Sequence, residues 1–163
     1  MKEIDVGKGM VALVDDSDYE WLSQYNWHTV QSHNAVVYAR KYQTPRPKRK
    51  QITMHRFIMQ AQPHEDIDHK DGNGLNNTRA NLRIATDSQN QANRHKLSLN
   101  KSGFRGVCFN SQSQKWQAGI KVNGHSYHLG LHLTKEAAAL AYNQAAIKFF
   151  GEFANLNVIK EAA

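Results

Sequence analysis

The stretch DIDHKDGNGLNNTRANLRIATDSQNQAN, residues 66–93, constrains this chain more than any other part of it. It holds four Asp, one His and six Asn in 28 residues, with few large apolar side chains. Such a segment cannot fill a core. Its short polar side chains compete with helix and ladder hydrogen bonds and so favour turns and helix caps. Read locally, DIDH is a short strand, DGNGLNN a run of turn formers and LRIA a second short strand. TDSQNQANRH then reads as a helix, with Thr86 as its N-cap and Asp87 in its first turn. Strand, polar loop, strand, helix is the expected order over about 66–95.

On that reading Asp68 and His69 sit at the end of the first strand. Asn81 lies in the loop before the second strand, and Asn90 lies one turn into the helix. A hairpin packed under a helix brings the Asp-His pair opposite the helix's first turns. A carboxylate and an amide carbonyl there form an all-oxygen, incomplete shell. That suits magnesium, which keeps several waters, and does not suit tetrahedral zinc. His69 has an ordinary pKa near neutrality and can take a proton from water. Its other ring nitrogen then needs an acceptor to fix tautomer and direction, and the Asn81 amide can supply one without adding charge. Asp66, Asp71, Asn73, Asn76 and Asn77 read as turn residues, and His55 as a buttress of the site, with contact to phosphate or metal as the alternative.

The chain has 163 residues and one cysteine, Cys108, so neither an internal disulfide nor a Cys-x-x-Cys zinc pair is available. A reducing, cytoplasmic setting fits. No run approaches the roughly 20 apolar residues of a membrane span, and the N-terminus has no signal-peptide pattern. Charge is uneven. Residues 1–39 carry two Lys against six acids, and residues 40–163 carry nineteen Lys and Arg against eight. The steepest step is RKYQTPRPKRK, 40–50, an expected loop or arm with Arg46, Lys48 and Arg49 set to track a polyanion. Nucleic acid is the natural partner.

Before the polar stretch, residues 4–14 read as strand and turn, 16–27 as a short helix leading into a strand, and 35–42 as a strand. Residues 52–61 have helical spacing at Met54, Phe57, Ile58 and Ala61, with Pro63 as the stop. After a linker at 97–101, GFRGVCF and KWQAGIKV read as strands, Asn123-Gly124 as a hairpin turn and HSYHLGLH as the return strand. Thr134 caps a helix that Gly151 closes. Its expected apolar face comprises Ala138, Ala141, Tyr142, Ala145, Ile147 and Phe149. Cys108 is expected to be a small packed residue, and Phe104 and Trp116 to pack against the sheet.

Two resemblances sharpen this. MHRF followed by IDHKDGNGLNNTRANLRIATDSQN resembles the HNH nuclease motif in its phage and intron homing-endonuclease form, whose fold is the ββα-metal finger. The resemblance implies Asp68 and Asn90 as ligands of one divalent metal, His69 as general base and Asn81 as the group that orients it. Asn90 in place of a histidine favours Mg2+, with Mn2+ or another divalent metal as substitutes. It also implies hydrolysis of a phosphodiester to a 5′ phosphate and a 3′ hydroxyl, and phage or mobile-element origin, which places the chain in a bacterial host cell. Arg56, Arg79, Arg83 and Arg94 read as candidates for phosphate contact, with a solvated surface role as the alternative.

Residues 102–157 resemble the Apetala-two/ethylene-responsive-factor DNA-binding domain through FRGV, KWQAGI, HLG and EAALAYNQAA. That family's fold is a three-stranded antiparallel sheet packed on one helix. By this resemblance Arg105, Lys115, Lys121 and His128 face DNA.

The expected class is therefore α+β, with a nuclease domain over 1–96 (motif core 54–95), a linker at 97–101 and a DNA-binding domain over 102–160. The expected partner is double-stranded DNA, bound by a monomer or weak dimer. The competing reading is a catalytically inactive DNA-binding regulator, and intact Asp68, His69, Asn81 and Asn90 speak against it.

Overall fold

The computed structural model describes residues 1–32, 36–44, 50–93 and 101–159. The chain divides into two compact units, Met1–Thr86 and Asp87–Ala163, and its elements are short helices and antiparallel sheets.

In the first unit β1 (Lys2–Asp5) and β2 (Val11–Val14) form a hairpin, followed by α1 (Asp16–Leu22). Gly7 and Gly9 carry its turn at φ of 80° and 70°, a region that costs glycine little. Strands β3 (His28–Gln31), β4 (Val37–Tyr42) and β5 (Gln51–Thr53) make an antiparallel sheet in that order. The basic arm residues Arg46, Lys48 and Arg49 lie outside the described residues.

Helix α2 (Met54–Ile58) follows β5 directly. It is shorter than the expected 52–61 helix at both ends, because Gln51–Thr53 pairs with β4 and Gln60 turns left-handed at φ 52° before Pro63 is reached. Strands β6 (Asp66–His69) and β7 (Leu82–Ala85) then pair, with Asp68 opposite Arg83 and His69 opposite Leu82. Apolar side chains from much of this unit converge on one core that includes Val6, Val14, Leu22, Trp27, Met54, Ile58, Ile67 and Leu82. Trp27 completes its burial by donating its indole N–H to the Leu22 carbonyl at 2.9 Å.

The second unit begins with α3 (Asp87–Ala92), which carries Asn90. The expected ladder strand–loop–strand–helix is present in sequence order, with the division between units falling just before its helix. Strands β8 (Val107–Asn110), β9 (Lys115–Val122) and β10 (His125–His132) form a sheet of order β10-β9-β8. Asn123 and Gly124 both have positive φ, 49° and 84°, as the hairpin turn requires. Helix α4 (Lys135–Phe150) is capped by Thr134, whose hydroxyl accepts from Ala137 N at 3.1 Å, and Gly151 ends it at φ 53°.

The buried face of α4 is Ala138, Ala139, Tyr142, Ala145, Ala146 and Phe150. That set follows a 3.6-residue period and leaves Ile147 and Phe149 exposed, which shifts the expected face by a fraction of a turn. Phe104 and Trp116 pack against this core. Cys108 does not pack there. It is exposed, because its neighbour Val107 takes the side of the sheet that faces α4.

Candidate active site

Strand β6 ends by delivering Asp68 and His69 side by side, each about 5% exposed. The loop from Lys70 to Asn81 then closes on itself. Lys70 N donates to the Asn81 carbonyl at 3.0 Å, so the ladder runs one step past the strands. Asp71 is the hub. Its Oδ1 accepts from Asn73 N at 2.8 Å and Asn81 Nδ2 at 3.0 Å, and its Oδ2 accepts from Asn76 Nδ2 at 2.7 Å. Burial alone would raise the Asp71 pKa, but those bonds from Asn76, Asn73 and Asn81 hold it below the ordinary carboxylate value. This network is why so many short amides cluster here: they supply the donors and acceptors of a loop with almost no regular structure.

Asn81 is committed to that network. Its Oδ1 accepts from Asp71 N at 3.1 Å, and its Nδ2 also donates to the Asn76 carbonyl at 2.8 Å. The amide that reaches the His69 ring is a different one: Asn77 Oδ1 lies 3.5 Å from His69 Nε2, at the outer limit of hydrogen-bond distance. Asn77 is fully buried, and among the described residues its Nδ2 has no partner. From the sequence alone Asn77 reads as a turn residue. The signal that would have found it is non-local, since Asn77 N donates to the Leu13 carbonyl at 2.8 Å and so is pinned from β2.

Two rings flank the base candidate. Tyr38 lies 5.7 Å from His69 and 5.3 Å from His55, centroid to centroid, and the two histidines lie 4.9 Å apart. Burial pushes the His69 pKa below its ordinary value, against the upward pull of Asn77, Asp71 and Asp68. His69 is therefore neutral at neutral pH and has a lone pair to accept a proton. Burial lowers His55 further, to about 3, with His69 and Arg56 adding to the effect. His55 Nε2 meets Thr53 Oγ1 at 2.9 Å, and its Nδ1 is buried without a partner among the described residues.

Asp68 pairs with Arg83 across the strands, Nε at 2.9 Å and a terminal nitrogen at 2.8 Å, both on Oδ2. Both side chains are about nine-tenths buried, so this ion pair is shielded from solvent. Arg79 is likewise engaged, with Asp18, and Arg56 donates to the carbonyls of Glu65 and Gln62. Asn90 lies on α3 in the second unit. Also in that unit, Lys115, Lys121 and His128 are exposed, and Arg105 is partly buried beside Tyr142.

The described residues contain no group of three or more His, Cys, Asp or Glu that could hold a metal. The Asp68 carboxylate is a hard oxygen donor, suited to a divalent cation that completes its shell with water and phosphate and not to a structural zinc. The carboxylate would be shared with Arg83.

Comparison with known proteins gives the class of this chain. The HNH endonuclease family profile matches residues 55–92. An uncharacterized HNH endonuclease of Acanthamoeba polyphaga mimivirus is 35% identical over 159 residues, covering 94% of this chain and 78% of its own. The chain belongs to the HNH endonuclease family. Protein 3.8 of Escherichia phage T7 is 30% identical over 88 residues, 54% of this chain and 72% of its own. An AP2-like ethylene-responsive transcription factor of Arabidopsis thaliana is 40% identical over 58 residues, 36% of this chain and 12% of its own. No solved structure matches. Among the described residues no helix is long and apolar enough to cross a membrane.

Proposed function

We propose that this chain is a metal-dependent DNA endonuclease of the homing type, with the second unit guiding the first to its site on double-stranded DNA. The observation that carries the reading is His69: a buried imidazole kept neutral, adjacent in sequence to a buried carboxylate, within the segment that matches the HNH family. The nuclease domain would span 1–96 and the DNA-binding domain 102–160, joined at 97–101.

In this reaction His69 takes the proton of the attacking water, and its lowered pKa keeps it ready at working pH. Asn77, from the loop, holds the imidazole's direction through Nε2, while Asn81 holds the loop. Tyr38 and His55 limit the ring's rotation and exclude solvent behind it. Asp68 and Asn90 would hold the divalent metal, with Mg2+ the best match to their oxygen donors. When bound, the metal supplies charge stabilisation for the scissile phosphate and the leaving oxygen. Arg83 fixes the position of the Asp68 carboxylate. One such set per chain cuts one strand per monomer.

DNA guidance is supported by the partial match to a plant transcription factor and by the exposed Lys115, Lys121 and His128 of the second sheet. Arg105 and the basic arm with Arg46, Lys48 and Arg49 belong to the same reading.

The test is incubation of the purified protein with supercoiled plasmid and magnesium. Conversion to open circle that EDTA and His69→Ala both abolish supports the reading, with an expected loss of roughly 100- to 10,000-fold in the variant. A plasmid that stays supercoiled while duplex DNA, including the DNA flanking the protein's own gene, is still bound would favour the regulator.

A further inference from the structure

Strand β9 alternates between two environments. Ala118 and Ile120 are buried on the side of α4. Lys115, Gln117, Gly119 and Lys121 turn to the opposite face, as the two-residue period of a strand requires. That face carries a fixed hydrogen-bond polarity at its centre. Asn110 Oδ1 accepts from the backbone N–H groups of Gln112 at 3.1 Å and Ser113 at 3.0 Å. With its oxygen engaged there, Asn110 presents Nδ2 across the sheet and donates to Gln117 Oε1 at 3.4 Å. The Gln117 amide is thereby oriented, carbonyl toward Asn110 and Nε2 away from it. Oε1 keeps a second lone pair, and among the described residues Nε2 has no hydrogen-bond partner.

An N–H donor beside a carbonyl acceptor matches the major-groove edge of adenine, which offers the N7 acceptor and the N6 donor. Guanine offers two acceptors, N7 and O6, and would set one of them against Oε1. The register places Cys108 on one side of Gln117 and Leu131 on the other, and directly paired residues share a face. Both are exposed, and an apolar flank of this kind fits a thymine methyl group. Lys115 and Lys121 stand six residues apart, about 20 Å along the strand, enough to reach phosphates on both sides of a groove about 12 Å wide. Residues 101–133 contain four basic residues, Lys101, Arg105, Lys115 and Lys121, and no Asp or Glu. His128 is exposed, and its Nδ1 accepts from Gly130 N at 3.2 Å, which leaves Nε2 as the ring's donor.

The geometry points to Gln117 as the reader of an A·T base pair in the major groove of duplex DNA. Asn110 holds its amide in the reading polarity, and Cys108 and Leu131 flank the thymine methyl group. This rests on the reading that the second unit binds duplex DNA. The experiment is selection from a randomised duplex pool by the full chain in EDTA, which prevents cleavage, for wild type, Gln117→Ala and Gln117→Arg. Wild type is expected to enrich a site containing an A·T pair whose replacement by G·C weakens binding about 10- to 100-fold. Gln117→Ala should lose that preference at that position alone. Gln117→Arg should move it to G·C, since arginine pairs with N7 and O6 of guanine. If both variants enrich the wild-type site unchanged, Gln117 is not the reader, while DNA binding by the second unit stands. If wild type enriches no duplex, both the inference and that DNA-binding reading fall, and plasmid cleavage decides the nuclease reading separately.

Discussion

His55 and His69 meet edge to face, their ring centroids 4.9 Å apart and their planes at 86°. Both are buried, so neither can be protonated without placing a charge against the other. The His55 pKa, about 3 in the folded chain, lies below the ordinary 6.5. Below about pH 6.5 the unfolded chain therefore binds a proton that the folded chain refuses, and stability falls as pH drops towards 3. The slope from this one group is at most about 1.4 kcal/mol per pH unit. His55→Gln removes the titration. Its urea midpoint should vary less between about pH 4 and 7 than that of the wild type; an unchanged slope would show that His55 is not held neutral.

Asn77 and Asn81 should separate in their effects. Asn81 holds three bonds of the loop, so Asn81→Ala should lower stability by about 2–3 kcal/mol. Asn77→Ala should lower kcat roughly 10-fold with little change in KM, because its amide acts on the direction of a ring. The converse pattern, with Asn81→Ala folded but slow and Asn77→Ala fully active, would return the orienting role to Asn81.

Gly74 couples backbone packing to the site. A Cβ there would meet the Val37 carbonyl at 2.4 Å and the Tyr38 ring at 2.5 Å. Backbone cannot yield cheaply, so Tyr38 must move, and it is the ring that backs both histidines. Gly74→Ala should cost about 1–3 kcal/mol and slow cleavage roughly 10- to 100-fold. Full activity in a plasmid nicking assay would show that Tyr38 does not position His69.

Arg79 holds the buried carboxylate of Asp18 with two bonds, 2.8 and 2.9 Å, and Asp18 also accepts from Trp21. Removing Arg79 leaves Asp18 unpaired. Because the Arg79 side chain is 52% exposed and solvent can replace part of its charge, Arg79→Ala should cost about 1–2 kcal/mol rather than the 3–5 of a fully buried pair. Adding Asp18→Asn to Arg79→Ala should recover part of the loss in thermal unfolding, since no unpaired charge then remains.

What the sequence made legible is what local chemistry decides. The Asn123-Gly124 turn, the Thr134 cap and the Gly151 stop act within a few residues of themselves, and each stands where the pattern put it. The paired strands around Asp68, His69 and Arg83 were legible for the same reason, since turn formers fix where a short hairpin begins. Helix α2 was overestimated because its helical spacing competes with a ladder to β4 that the sequence does not advertise. The burial of Asn77 and the exposure of Cys108 are not legible in the sequence because each is set by something distant, a carbonyl in β2 for one and the side of the sheet left to α4 for the other. The Arg83 side chain was expected on phosphate. Its burial against Asp68 followed from strand register, which residue type alone does not reveal.

The loop that carries Asn77 is fastened at its far side by Leu13, whose N–H donates to the Leu75 carbonyl and whose carbonyl accepts from Asn77 N, each at 2.8 Å. Asp15 adds a third fastening by accepting from Arg79 N at 2.7 Å. The recognisable signature, residues 55–92, is therefore shorter than the piece that has to travel with it when the activity is inherited or transplanted. A graft limited to the signature would carry the reactive side chains and leave their scaffolding behind. The opening hairpin, though far from the chemistry in sequence, is part of what such an exchange must keep.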